Sequence, residues 1–239
     1  MVELRDILLA AVAFGPMILL LYMTLKDYTF PKVEKPFFDD RKVFAFMTFG
    51  IVLGTVFFFI DSMAGSSDNL SIVLLLGAVI PLLQGLIKLA ILNWPKFQRK
   101  VDTAFYGLAF GLGIAATYSF SKMFASLLQA EANDLASLLL VIMMGVQIVL
   151  IQGSTTAMIG VGCARGTPWT YFAYSMIYAF AYSYLLYGLA FAATVDIAVV
   201  AMMLLMWTVC IYSYWHVYRI DLPNLIDDAK RGFKSLSKK

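Results

Sequence analysis

The chain has 239 residues, of which 62% are hydrophobic and only 14% charged, and its formal net charge is +3. That balance excludes an ordinary water-soluble domain, and the length leaves room for about seven spans of roughly 20 residues with short connections. The expected fold is all-α and polytopic: one transmembrane domain over 1–221 and a basic amphipathic cytoplasmic tail over 222–239.

Apolar runs bounded by charges or turn residues predict spans over 7–25, 43–63, 70–93, 102–127, 135–163, 171–193 and 195–218. The first is read as a mature helix, because MVELRD carries two acids and no small-residue cleavage site follows. The fifth is long for a core about 30 Å thick, so it must tilt, kink or project. Lys26, Lys32, Lys35, Arg41 and Lys42 follow the first span. Lys96, Arg99 and Lys100 follow the third, and Arg165 the fifth. Arg219, Lys230, Arg231, Lys234, Lys238 and Lys239 follow the last. The opposite flanks hold Arg5 and otherwise acids: Asp61, Asp68, Glu131, Asp134 and Asp196. By the positive-inside rule the N-terminus lies outside and the C-terminus in the cytoplasm.

The segment DYTFPKVEKPFFDDRK reads as an ordered cytoplasmic stretch at the interface, and Trp94, Trp169, Trp207 and Trp215 as span anchors. In the tail, Leu222, Leu225, Ile226, Ala229, Phe233 and Leu236 recur at helical spacing with Lys and Arg opposite. That pattern suits a helix lying on an anionic leaflet; the alternative is a solvated basic tail.

Little in the chain suggests conventional chemistry. His216 is the only histidine and reads as an interfacial side chain, and Cys163 and Cys210 read as small buried apolar residues. Ser154, Thr155 and Thr156 have no base nearby, so they are read as helix-bonding hydroxyls. No metal site, cofactor or nucleic-acid partner is expected.

Residues 81–119 are the exception, because polar groups inside apolar spans are costly. Gln84 and Lys88 are four apart and share a helix face, and Asp102 opens the next span across the turn KFQRK. Lys88 and Asp102 could form an ion pair that sets the interhelix angle, or mark a proton or ion path. Gly107, Gly111 and Ala115 recur every four residues, with Gly113 read near the same surface, which predicts close helix packing. Gly50 and Gly54 give the second span a similar strip.

The pattern Pro81, Gln84, Gly85, Lys88, then Asp102, Tyr106, Gly107, Gly111, Gly113, Ala115, then Gln152, Thr156, Gly160 resembles the PrsW family of intramembrane proteases. In fold, that family is related to the CAAX-processing glutamate proteases and a gamma-secretase subunit. The first helix and its exit, AFGPMILLLYMTLKDYTFPKVEKP, are also similar, and the likeness covers roughly residues 10–190. The resemblance implies two adjacent glutamates where Gln84 and Gly85 stand, a Glu-Asn pair at Tyr118 and Ser119, and a histidine at Gln152. A second family histidine has no counterpart in MIYAFAYSYLLYG.

The family's water-activating chemistry needs a carboxylate base and imidazoles, and a neutral amide cannot replace them. The resemblance therefore implies a non-catalytic relative, a pseudoprotease scaffolding a membrane complex. Its expected partners are a membrane protein or a second copy, the bilayer, and anionic lipid at the tail. The degenerate cavity would bind a transmembrane helix or lipid. By the rise of an α-helix, Gln84 lies about 14 Å and Tyr118 about 24 Å from their cytoplasmic helix ends, so they meet only if the fourth helix starts low or tilts. The rivals are a small transporter or ion pathway using Lys88, Asp102, Gln84, Gln147 and Gln152, a residual membrane protease and, last, a lipid-modifying enzyme.

Overall fold

The computed structural model describes residues 4–30, 32–33, 36–64, 70–130, 135–189 and 197–236. They form α1 (Leu4–Leu25), α2 (Asp40–Ala64), α3 (Leu70–Leu92), α4 (Asp102–Ala130), α5 (Leu135–Arg165), α6 (Pro168–Leu189) and α7 (Ile197–His216). A π-helical turn, Val217–Asp221, leads directly into α8 (Leu222–Leu236). The expected flanking charges Lys35, Asp68, Glu131, Asp134, Asp196, Lys238 and Lys239 lie outside the described residues, as does the end of the sixth predicted span. The side chains of Phe233, Lys234 and Leu236 do too.

The chain is an all-helical, multi-pass membrane protein. Six helices are long and apolar enough to cross a bilayer. The helix over the sixth predicted span does not reach that apolarity, because Tyr171, Tyr174, Tyr178, Tyr182, Tyr184 and Tyr187 dilute it. It nevertheless packs antiparallel along α3, with Phe172 against Gly85 at one end and Tyr187 against Gly77 at the other. The 31 residues of α5 are about 46 Å long, well beyond a hydrocarbon core.

The centre of the molecule is α4. Of its span 89% is buried, against 22% to 44% for the other five. Glycines make that possible. A Cβ on Gly107 would stand 3.0 Å from Gly160 Cα, and one on Gly111 2.7 Å from the Gln152 carbonyl oxygen, so α5 lies almost backbone to backbone on this face. Gly113 is two residues from Gly111, about 200° around the helix, and faces Met47 of α2. The expectation that Gly113 shares a surface with Gly107 and Gly111 is corrected accordingly: α4 has two close-packing faces. Gly50 and Gly54 of α2 meet Phe110 and Ile114 on the second face, and Thr117 Oγ1 donates to the Ile51 carbonyl at 2.8 Å. Ala115 is fully buried.

The basic connections gather at one end. Arg99 N–H donates to the Cys163 carbonyl at 3.0 Å, Tyr218 Oη to Asp27 at 2.6 Å, and Asp39 N–H to Tyr106 Oη at 3.3 Å. Phe38 and Tyr28 pack on Phe105, so the exit from α1 folds onto the start of α4. Gly166, at φ 78°, ends α5, and its successor's N–H returns to the Gly162 carbonyl at 2.9 Å, which lets Pro168 begin α6 at once. The last helix differs from a free tail: Leu222, Leu225 and Ile226 of α8 are buried in the same cluster as Met17, Leu21 and Val217. Its apolar face, in this first half, packs on the bundle.

Candidate functional site

The cavity among α2, α3, α4, α5 and α6 follows from where the apolar helices are interrupted. On α3, Pro81 removes one backbone hydrogen bond, and one and two turns later Gln84 and Lys88 project from one face. Both are buried; Lys88 is 4% exposed. Lys88 Nζ donates to Gln152 Oε1 of α5, and Gln152 Nε2 donates to Gln84 Oε1 at 3.0 Å. The three side chains form a linear relay, with Gln152 in the middle, that ties α3 to α5.

Gly85, the next residue on α3, has its side-chain space filled by the tips of Met176 and Phe172. A Cβ there would lie 3.0 Å from Met176 Sδ and 3.0 Å from Phe172 Cε2, both on α6. The missing side chain is what seats α6 against α3.

Toward the other end of the same cavity, Asp61 of α2 is buried among groups from α4 and α6. Tyr118 Oη donates to Asp61 Oδ2 at 3.0 Å and Tyr187 Oη to Oδ1 at 2.9 Å. Lys122, one turn beyond Tyr118, forms an ion pair with Oδ2 and lies 6.0 Å from the Tyr118 ring centroid. Both carboxylate oxygens are therefore engaged. The Tyr182 hydroxyl also lines the cavity, buried and without a partner among the described residues.

The cavity volume is about 60 Å³. That is room for a few water molecules, not for an acyl chain or a helix. Among the described residues no three His, Cys, Asp or Glu side chains converge on one point.

Of the positions singled out from the sequence, Gln84, Gly85, Lys88, Tyr118 and Gln152 all line this cavity. Gln84 and Tyr118 sit at different depths, and the cavity's length joins them through Asp61. Ser119 does not line it: its hydroxyl donates to the Ala116 carbonyl at 3.3 Å. Thr156 donates to the Gln152 carbonyl at 2.6 Å and packs on Gly111. Asp102 does not pair with Lys88. It accepts from Tyr106 Oη at 3.0 Å, and the expected interhelix ion pair is replaced by the Lys88–Gln152 bond. Gln147 is fully buried on α5 with both amide atoms unpartnered among the described residues, and it too lies off the cavity.

Asp61, Lys122, Tyr182 and Tyr187 were not anticipated as site residues. Asp61 reads as a loop flank because it stands three residues from the end of α2. The available signal was Lys122: a lysine inside an apolar span demands a counter-charge, and it falls one turn from Tyr118.

The chain matches no protein-family model, no curated protein and no solved structure.

Proposed function

We propose that this chain is a non-catalytic, PrsW-like protein of the cell membrane, a pseudoprotease that serves as scaffold, adaptor or subunit in a membrane complex. Its seven spans, α6 included, run from an outside N-terminus to a cytoplasmic C-terminus. The observation that carries the reading is the state of positions 84 and 85. Where the resembled family would carry paired carboxylates, Gln84 is bonded through Gln152 to Lys88, and the space at Gly85 is filled by Met176 and Phe172. The one carboxylate lining the cavity among the described residues, Asp61, has both oxygens committed to Lys122, Tyr118 and Tyr187 and so is a poor general base.

The small cavity volume and the internal use of the α2 and α4 glycines direct partner contact to the outward faces. On α1, Ala11 and Gly15 form an exposed small-residue step, and a Cβ on Gly15 would meet nothing within 4 Å. A photoreactive residue at position 15, in native membranes, should give a discrete adduct with another membrane protein or a second copy, and Ala11→Leu should abolish it. Adducts with lipid alone would count against the scaffold. At the other end, Lys230 and Arg231 face away from the buried side of α8 and suit anionic lipid.

A carrier or ion pathway is the second reading, favoured by the presence of Lys88 and the Asp61–Lys122 pair along one cavity. Against it, Asp102 and Gln147 stand apart from that cavity and break the proposed path.

A further inference from the structure

A second cavity, of about 450 Å³, lies between α6 and the end of α7. It is within the roughly 300–1,000 Å³ range of small-molecule sites. Tyr171, Tyr174 and Tyr178 line it at i, i+3 and i+7 along one face of α6, and His216 and Asp221 close it from α7. The π-helical turn is what brings those two together. In an α-helix five residues turn about 140° past one full revolution, which would set His216 and Asp221 on different faces. The wider turn, closed by Leu222 N–H to the Val217 carbonyl, aligns them instead, with His216 Nε2 3.7 Å from Asp221 Oδ1.

Asp221 is 6% exposed, and the nearest basic group among the described residues is the His216 imidazole, 3.7 Å away and charged only when protonated. A partly paired carboxylate in a shielded cavity favours a second cation. Arg165 already lies over Tyr171, 5.7 Å from its ring centroid, which leaves the rings of Tyr174 and Tyr178 to supply the quadrupoles that hold an organic ammonium. Arg165, bonded to the Tyr171 hydroxyl at 2.6 Å and paired with the exposed Asp228 at 3.3 Å, sets a guanidinium beside the cavity wall, of the sign a phosphate needs. Tyr174 and Ile177 are 54% and 62% exposed, so the cavity opens sideways along α6, and the exposed Trp169 and Trp215 mark the same end as interfacial.

We propose that this cavity binds the ammonium of an amine-bearing lipid headgroup, with Asp221 as counter-ion, Tyr174 and Tyr178 as cage and the acyl chain lying outward over Ile177. The site is independent of the relay in the central cavity and of the scaffold reading.

The test uses the full chain reconstituted in vesicles of equimolar phosphatidylethanolamine and phosphatidylglycerol, then released for native mass spectrometry. The wild type should retain phosphatidylethanolamine preferentially, by about tenfold. Asp221→Asn should remove the preference. Tyr174→Leu, at a position too exposed to threaten folding, should weaken it several-fold even if Asp221→Asn fails to fold. Equal retention of the two lipids by the wild type, or an undiminished preference in Tyr174→Leu and a folded Asp221→Asn, overturns the proposal. Free ethanolamine at millimolar concentration should not displace the lipid; displacement would assign the site to soluble amines and overturn the lipid assignment.

Discussion

Lys88 shows how a single buried residue can tie two helices together. Its ammonium has one hydrogen-bond partner among the described residues, Gln152 Oε1, and leaving such a group unpaired costs more than deleting it. Gln152→Leu should therefore destabilise the protein by roughly 1–3 kcal/mol or more. Lys88→Met should cost less, and the double variant should recover most of the loss. Unfolding in mixed micelles checks this, and the two losses should couple by at least ~1 kcal/mol. Additive losses would mean the bond does not hold α3 to α5.

At the end of the bundle where the basic connections gather, the Lys32 ammonium at 2.5 Å and then the Tyr218 hydroxyl at 2.6 Å hold the Asp27 carboxyl below its ordinary value of 3.8. A depressed folded pKa contributes stability above the unfolded value and loses it as pH falls through the folded one. The melting temperature should fall as acid is added below about pH 4, and Asp27→Asn should flatten that fall. An identical acid limb in the variant would remove Asp27 from the account.

Among elements, the periodic ones were legible in the sequence and the paired ones were not. Apolar runs located α1 to α7 to within a few residues at most described ends, since run length and bounding charges are local properties. The relay of Gln84 and Lys88 was half visible, because i, i+4 spacing is local too; its third member, Gln152, is 64 residues from Lys88. Asp61 and Lys122 lie on different helices, and nothing along the chain says which carboxylate meets which lysine. The two faces of α4 were misread as one because Gly113 was grouped by nearness in sequence rather than by its angle around the helix. That angle predicts an asymmetry among glycines. Gly50→Ala sets a methyl against the Phe110 carbonyl and should force α2 and α4 apart, costing roughly 1–3 kcal/mol. Gly15→Ala meets open space and should stabilise by about 0.5–1 kcal/mol through helix propensity. Comparable melting temperatures for the two variants would contradict this packing.

For the whole molecule, the two polar clusters divide one task between the two ends of a single cavity. Asp61 with Lys122, Tyr118 and Tyr187 joins α2, α4 and α6, while Lys88 with Gln152 and Gln84 joins α3 and α5. Polar side chains bridging helices in a low-dielectric setting fix register at modest net stability. The proposed topology puts the end that collects Lys26, Lys96, Arg99 and Arg165 in the cytoplasm. Lys96→Cys should react with an impermeant thiol reagent only from the cytoplasmic face, with Cys163 and Cys210 silent because both are buried. Labelling from the outer face would invert the topology.

The central claim is that the Lys88 cavity is a structural tie in a scaffold, neither a catalytic site nor a conduction path. The purified chain in sealed proteoliposomes, loaded with a pH- or ion-sensitive dye and a transmembrane reporter peptide, tests it directly. The account predicts flux and cleavage at the level of protein-free vesicles for both the wild type and Lys88→Met. Flux or cleavage by the wild type that Lys88→Met abolishes would contradict it.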